Sequence, residues 1–202
     1  MTILELLLAS AIIAIVIALI ATVGGRMREG AQQIKCVSNL RQIGIAMNAY
    51  AGEHQQLYPP AYDATATPPI LATWMIAIAP YAGYAENAMG SAPLPRAVGI
   101  FSCPCLPAAE TNARRAGYFY SNNVINGNIL LRRKRLSLAG NTFLVVEGNP
   151  ANSEALAKDS FIAAPPQRHA SKSANFLMTD GSVEALSPPF SSTEPRWNLT
   201  IQ

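Results

Sequence analysis

Few residues in this chain have side chains suited to acid-base, nucleophilic or metal chemistry. Its thiols and imidazoles are Cys36, Cys103, Cys105, His54 and His169. A structural zinc takes four Cys or His ligands, commonly in spaced pairs, and neither Cys103-x-Cys105 nor any other spacing here supplies them. The spacing therefore points to no metal and no other cofactor. In an oxidising compartment, three cysteines read most simply as one disulfide and one remaining thiol. Towards the C-terminus, His169, Asn175 and Asp180 invite a metal or catalytic reading, but one His and one Asp with no second base make a thin case for either. The simpler assignment is structural: Asp180 and Gly181 form a turn and His169 makes a hydrogen bond. With no nucleophile and base in evidence and no phosphate loop, no catalytic residue is assigned and no enzymatic activity is expected.

One further ionisable residue stands out by its position. Glu5 is the only ionisable side chain between Met1 and Gly25, in the run MTILELLLASAIIAIVIALIATVGG. Twenty-five residues of helix rise about 37 Å, enough to cross a bilayer core of roughly 30 Å. A carboxylate in such a zone costs about 2.5 to 3.5 kcal/mol and should have a partner. The candidate is an N-terminal amine, on its own chain or on a copy shifted along the axis. Opposite charges about 4 Å apart at an effective dielectric near 20 attract by about 4 kcal/mol before desolvation. Such a pair would fix an axial register between subunits.

The elements that must position these residues follow from the pattern. The apolar run is too long for a buried helix of a chain this size, and helical periodicity continues past it, unlike a cleaved signal. A plain membrane anchor leaves Glu5 unexplained. Beyond the glycines, Ile34, Val37, Leu40 or Arg41, Gly44, Met47 and Tyr50 or Ala51 recur at three to four residues, predicting an amphipathic continuation to about Gly52, before Tyr58-Pro59-Pro60. Paired Gly24 and Gly25 each weaken a helix by roughly 1 kcal/mol and are expected to soften it there. Residues 53 to 116 read as a loop-rich region with one buried patch, Trp74 to Ile78. Strands are predicted at Gly117 to Ser121, Asn128 to Leu131, Thr142 to Glu147, Asn175 to Met178 and Ser182 to Leu186. The last two flank the hairpin signal Thr179-Asp180-Gly181.

The fold class is therefore α+β: a hydrophobic helix over residues 1 to 25, then a head over 26 to 202. The head comprises an amphipathic helix (26 to 52), a loop-rich region and a β-rich region (117 to 202). At 202 residues the chain is long enough for one core and one extended element, not two cores. Half its residues are hydrophobic and 13% are charged, giving a mean hydropathy of +0.18, high for a freely soluble domain. The net charge of +3 is too small and scattered to argue for nucleic acid, and the run Arg132 to Arg135 reads as a solvated turn or edge.

Met1, Thr2, Glu5 and Leu6 at the head of an apolar helix resemble the type IV pilins and the pseudopilins of type II secretion. The resemblance implies cleavage by a prepilin peptidase after a glycine, with Met1 as the mature, N-methylated residue. It implies a precursor in the inner membrane, pilus assembly machinery as partner, and a homopolymeric extracellular filament in which Glu5 meets a neighbour's amine. A minor pseudopilin or a membrane-anchored binding module is the alternative. Many members carry proline at position 22, where this chain has Thr22. A second resemblance lies in Cys36-Val-Ser-Asn-Leu-Arg-Gln-Ile-Gly, Phe101-Ser-Cys103-Pro104, Tyr118-Phe-Tyr-Ser-Asn122 and the stretch from Arg168-His169 to Asp180-Gly181. These blocks are similar to those of a bacterial prepilin-like family with a box of histidine, nine residues and Asp-Gly; here ten residues intervene. Cys36 and Cys103 are placed to tie the loop-rich region to the helix, with Cys105 as the alternative partner. Closing a 67-residue loop would contribute about 4 kcal/mol.

Overall fold

A computed structural model describes residues 2–60, 73–85, 88, 98–106, 118–121, 142–148, 155–156, 169, 172–191 and 193–197. The predicted strand at Asn128 to Leu131 and the Arg132 to Arg135 cluster lie outside the described residues.

One helix, α1 (Ile3–Glu53, 51 residues), dominates the molecule and is about 77 Å long. Thr2 caps it in extended backbone, and Glu5 at the third helical position completes a reciprocal capping box. The helix passes through Gly24 and Gly25 without a break. Two glycines cost about 2 kcal/mol between them, but hydrogen-bonded turns on both sides make propagation through them easier than two fresh starts. At the far end the His54 N–H donates to the carbonyls of Tyr50 and Ala51, and the His54 ring stacks on Tyr50 at 3.8 Å. Gln55 and Gln56 then turn the chain at positive φ, and the helix ends at Glu53, one residue beyond the predicted Gly52.

The two halves of α1 meet different surroundings. From Ile3 to Ile20 none of the helix is buried in the head, which removes the buried-helix reading. The second half buries Cys36, Leu40, Ile43, Met47, Tyr50 and Ala51. The predicted face is right from Leu40 onward but wrong at Ile34, which is 72% exposed: at about 100° per residue it lies about 160° round the axis from Cys36, because successive steps of three residues drift off the buried face. Gly44 marks the tightest approach, where a Cβ would lie 2.9 Å from Leu177 Cδ1.

The sheet under α1 has five strands: β1 (Tyr118–Ser121), β2 (Phe143–Glu147), β3 (Ala155–Leu156), β4 (Ala174–Met178) and β5 (Val183–Leu186). Their order is β3-β1-β2-β4-β5, antiparallel throughout except for the two-residue edge strand β3, which runs parallel to β1. Four strands fall where the alternation predicts them; β3 is too short to carry a pattern. Every residue of β2 and β4 is buried, because both sheet faces are covered. Leu144, Val145 and Leu177 belong to the core shared with α1, while Phe143, Val146, Phe176 and Met178 pack with Trp197 on the opposite face. The β4–β5 loop turns on Gly181 at φ +88°, and Asp180 Oδ1 accepts from the Ser182 N–H at 2.8 Å.

The loop-rich region docks on the same helix. The short helix α2 (Thr73–Ile78) buries Trp74, Met75 and Ile78, and Phe101 packs edge-on to Trp74. Residues 98 to 106 are held by a main-chain contact: the Ile100 N–H donates to the Tyr84 hydroxyl at 3.0 Å. Gly99, at φ +53°, permits it, since a Cβ there would overlap that hydroxyl. Gly99→Ala combines a left-handed backbone with a clash and should lower stability by about 1 to 3 kcal/mol. Gly30, with open space around it, should tolerate alanine and gain up to about 1 kcal/mol. Denaturant unfolding of the full chain in detergent, followed through the fluorescence of Trp74 and Trp197, reads both.

Candidate functional site

The first site is the tip of α1. Glu5 Oε2 accepts from the Thr2 N–H at 2.7 Å, and Thr2 Oγ1 accepts from the Glu5 N–H at 3.3 Å. The carboxylate is thereby folded back towards the chain start, where negative charge complements the helix dipole. Met1 lies outside the described residues. Around this acid, Ile3, Leu4, Leu6, Leu7 and Leu8 are all largely exposed.

The second site is built where α1 enters the head, from four segments far apart in sequence. Alternation on β2 sends Val145 and Glu147 to the helix side, and alternation on β4 sends Asn175 and Leu177 the same way. Glu147 is therefore a buried carboxylate beneath the helix, 1% exposed. Its Oε2 accepts from the Asn175 N–H at 2.8 Å and its Oε1 from Asn175 Nδ2 at 3.0 Å. The same Oε2 lies 2.8 Å from His169 Nε2, so the acid fixes the ring. The other ring nitrogen, Nδ1, faces Cys105 Sγ at 3.6 Å.

All three cysteines converge there. Cys36 Sγ is 3.0 Å from Cys103 Sγ and 3.6 Å from Cys105 Sγ, and all three are thiols. The expected partners of Cys36, Cys103 and Cys105, thus lie side by side beneath the helix. Asn39, one turn along the helix, donates to the Ser102 carbonyl at 3.2 Å and to the Tyr118 hydroxyl at 3.3 Å. These bonds pin the cysteine-bearing segment and β1 to α1.

The electrostatics follow from this crowding. Hydrogen bonds with Cys103 and Cys105, then burial, push the Cys36 thiol up. Hydrogen bonds from Cys103 and Cys36, reinforced by His169, pull Cys105 down against its own burial. Burial works to lower His169, but hydrogen bonds to Cys105 and Glu147 and their charges outweigh it and carry the imidazole up to about 9. Burial raises the Tyr118 phenol. The arrangement can do two things chemically: it stabilises a thiolate at Cys105, and it gathers three sulfurs within 4.8 Å of one another beside the His169 imidazole.

Asp180 and Gly181, grouped with His169 at the sequence level, sit instead in the β4–β5 loop, where Asp180 Oδ1 is taken up by the Ser182 N–H and hydroxyl. Glu147 was not singled out from sequence, although an acid in phase with Val145 on an apolar strand is the signal that could have found it. Glu147→Ala leaves the Asn175 amide groups and His169 without their buried acceptor and should cost about 3 to 5 kcal/mol. A Glu147→Ala chain that unfolds at the wild-type denaturant concentration would show the carboxylate to be idle.

Residues 25–88 match the model of a family described as a protein of unknown function (DUF1559), a stretch that carries the buried face of α1, Cys36 and α2. Neither the comparison with curated proteins nor that with solved structures gives a match. The matched segment is less than half of the chain, and what this chain is similar to is so far a family without an assigned activity.

Proposed function

We propose that this chain is a structural subunit of a type IV pilus-like filament, held in a membrane before assembly and polymerised through the first half of α1. The observation that carries the reading is the exposed apolar half-helix with a single carboxylate at its tip. Twelve large aliphatic side chains between Ile3 and Ile20 are exposed. Burying each is worth about 1.5 to 3 kcal/mol, so together they outweigh the roughly 5 to 15 kcal/mol that holds a whole domain folded. Lipid can take this surface, as can a bundle of identical helices. The length and composition of Ile3–Ile20 suit either. Ala9, Ser10, Ala11, Ala14 and Ala18 on the same segment favour close helix-to-helix approach.

A second apolar feature favours copies of the chain over lipid alone. Met27, Ile34 and Ile45 are 70%, 72% and 67% exposed on the head's own part of the helix. Steps of 7 and 11 residues return to the same side of an α-helix to within about 20°. That side is opposite the buried stripe, where neighbouring subunits in a helical array would lie.

The capping box makes the charge argument separable from the helix argument. Glutamine at position 5 keeps an oxygen for the Thr2 N–H, so Glu5→Gln retains the cap and removes only the charge. The variant is expected to insert and fold normally yet lose at least about tenfold in filament yield by electron microscopy, the equivalent of 1.4 kcal/mol of register energy. Normal filaments from Glu5→Gln would overturn the role of the charge. Ile45→Asp should leave the head's circular dichroism unchanged and reduce filament yield or persistence. An unchanged yield would assign the Met27, Ile34 and Ile45 stripe to solvent.

A further inference from the structure

The buried cluster beneath α1 points to a metal site that the spacing of the cysteines conceals. We infer that Cys36, Cys103, Cys105 and His169 form a four-coordinate centre for a thiophilic divalent cation of the zinc class, with Glu147 as the group that orients its imidazole.

The geometry is close to what such an ion needs. Tetrahedral zinc with Zn–S bonds of about 2.3 Å places neighbouring sulfurs about 3.8 Å apart and a sulfur and a nitrogen about 3.5 Å apart. The Cys36–Cys105 separation is 3.6 Å and the Cys105–His169 Nδ1 separation is 3.6 Å, while the Cys36–Cys103 pair, at 3.0 Å, must open. The donor atoms form two triads that share Cys36, each within 4.8 Å: Cys36 with Cys103 and Cys105, and Cys36 with Glu147 and His169; a bound ion would draw the His169 ring onto the three sulfurs. The imidazole is set up as metal-bound histidines are: Nε2–H donates to a carboxylate, which leaves the Nδ1 lone pair turned to the sulfurs. Glu147 is itself fixed by both donors of Asn175. Three thiolates and one nitrogen select soft or borderline ions over magnesium or calcium. On binding, the thiol protons and the second imidazole proton leave to solvent, so three thiolates and a neutral imidazole around a dication make a centre of one net negative charge.

Two competing uses of the same atoms fit less well. In a Cys105–His169–Glu147 hydrolytic arrangement, Cys36 and Cys103 would crowd the nucleophile with sulfur where a substrate carbonyl must approach. A Cys36–Cys103 disulfide would leave the ordered Glu147–His169 pair aimed at a lone thiol with no task for it.

The test uses the full chain in detergent, reduced, with cobalt(II) as the spectroscopic probe and zinc(II) as competitor. The expected result is one cobalt per chain, with thiolate-to-metal charge-transfer bands in the near ultraviolet and intense four-coordinate bands in the red, both abolished by zinc. Cys105→Ser should remove the charge-transfer intensity and weaken zinc binding by at least tenfold while circular dichroism stays unchanged. Glu147→Gln, which keeps the site's shape, should weaken it by roughly 10- to 100-fold. A reduced chain that develops no cobalt–thiolate bands overturns the proposal, as does a Cys105→Ser chain that binds zinc like the wild type. Material isolated without reductant that carries a Cys36–Cys103 disulfide by peptide mass mapping, and no metal by elemental analysis, overturns it equally.

Discussion

A single unbroken helix has to serve two solvents. Because α1 runs from Ile3 to Glu53 without a break, the rotation of its apolar tip relative to the head follows from the docking of Cys36, Leu40, Ile43 and Met47. Side-chain direction on a helix is set by residue number at about 100° per residue. The side on which Glu5 emerges, the side on which Ile45 lies bare and the side that meets Leu177 are therefore one connected choice. Gly44 allows that choice to be made at close range, since a Cβ there would press on the Leu177 methyl groups.

The sheet contributes more than a platform. Its two central strands are covered on both faces, so any polar side chain they turn inward must find its partner within the protein. Glu147 and Asn175 do so with each other and with His169, and their layer lies where the helix, the 98–106 segment and β1 meet. Around them Cys36, Asn39 and Tyr118 join three segments that hydrophobic contact alone would leave free to slide.

What could be read from the sequence was local. The apolar run with its one acid, the stop after Gly52, the Asp180-Gly181 turn and the four longer strands all announce themselves within a dozen residues. The convergence of Cys36, Cys103, Cys105 and His169 does not, because 67 and 64 residues separate the members that touch. Ligand spacing rules detect pairs brought together by one turn; here the long connections of the loop-rich region and the strand order do the gathering. The misplaced start of the buried stripe has a related origin. A run of three-residue steps drifts round the axis by about 60° each time, so a series anchored at Leu40 and Met47 leads back to the wrong side of the helix by Ile34, and only the docked sheet shows which side is buried. The two-residue strand β3 is recognisable only through its pairing with β1.

The position of the polar layer along α1 has a mechanical consequence. Cys36 and Asn39 lie at the first turns of the helix to enter the head. Tension along the rod would arrive as shear at those turns before it reached Met47 or Tyr50. Cross-connections at that mouth load together, whereas a purely greasy seam can slip one side chain at a time. The head is therefore tethered most firmly at the place where it would begin to peel.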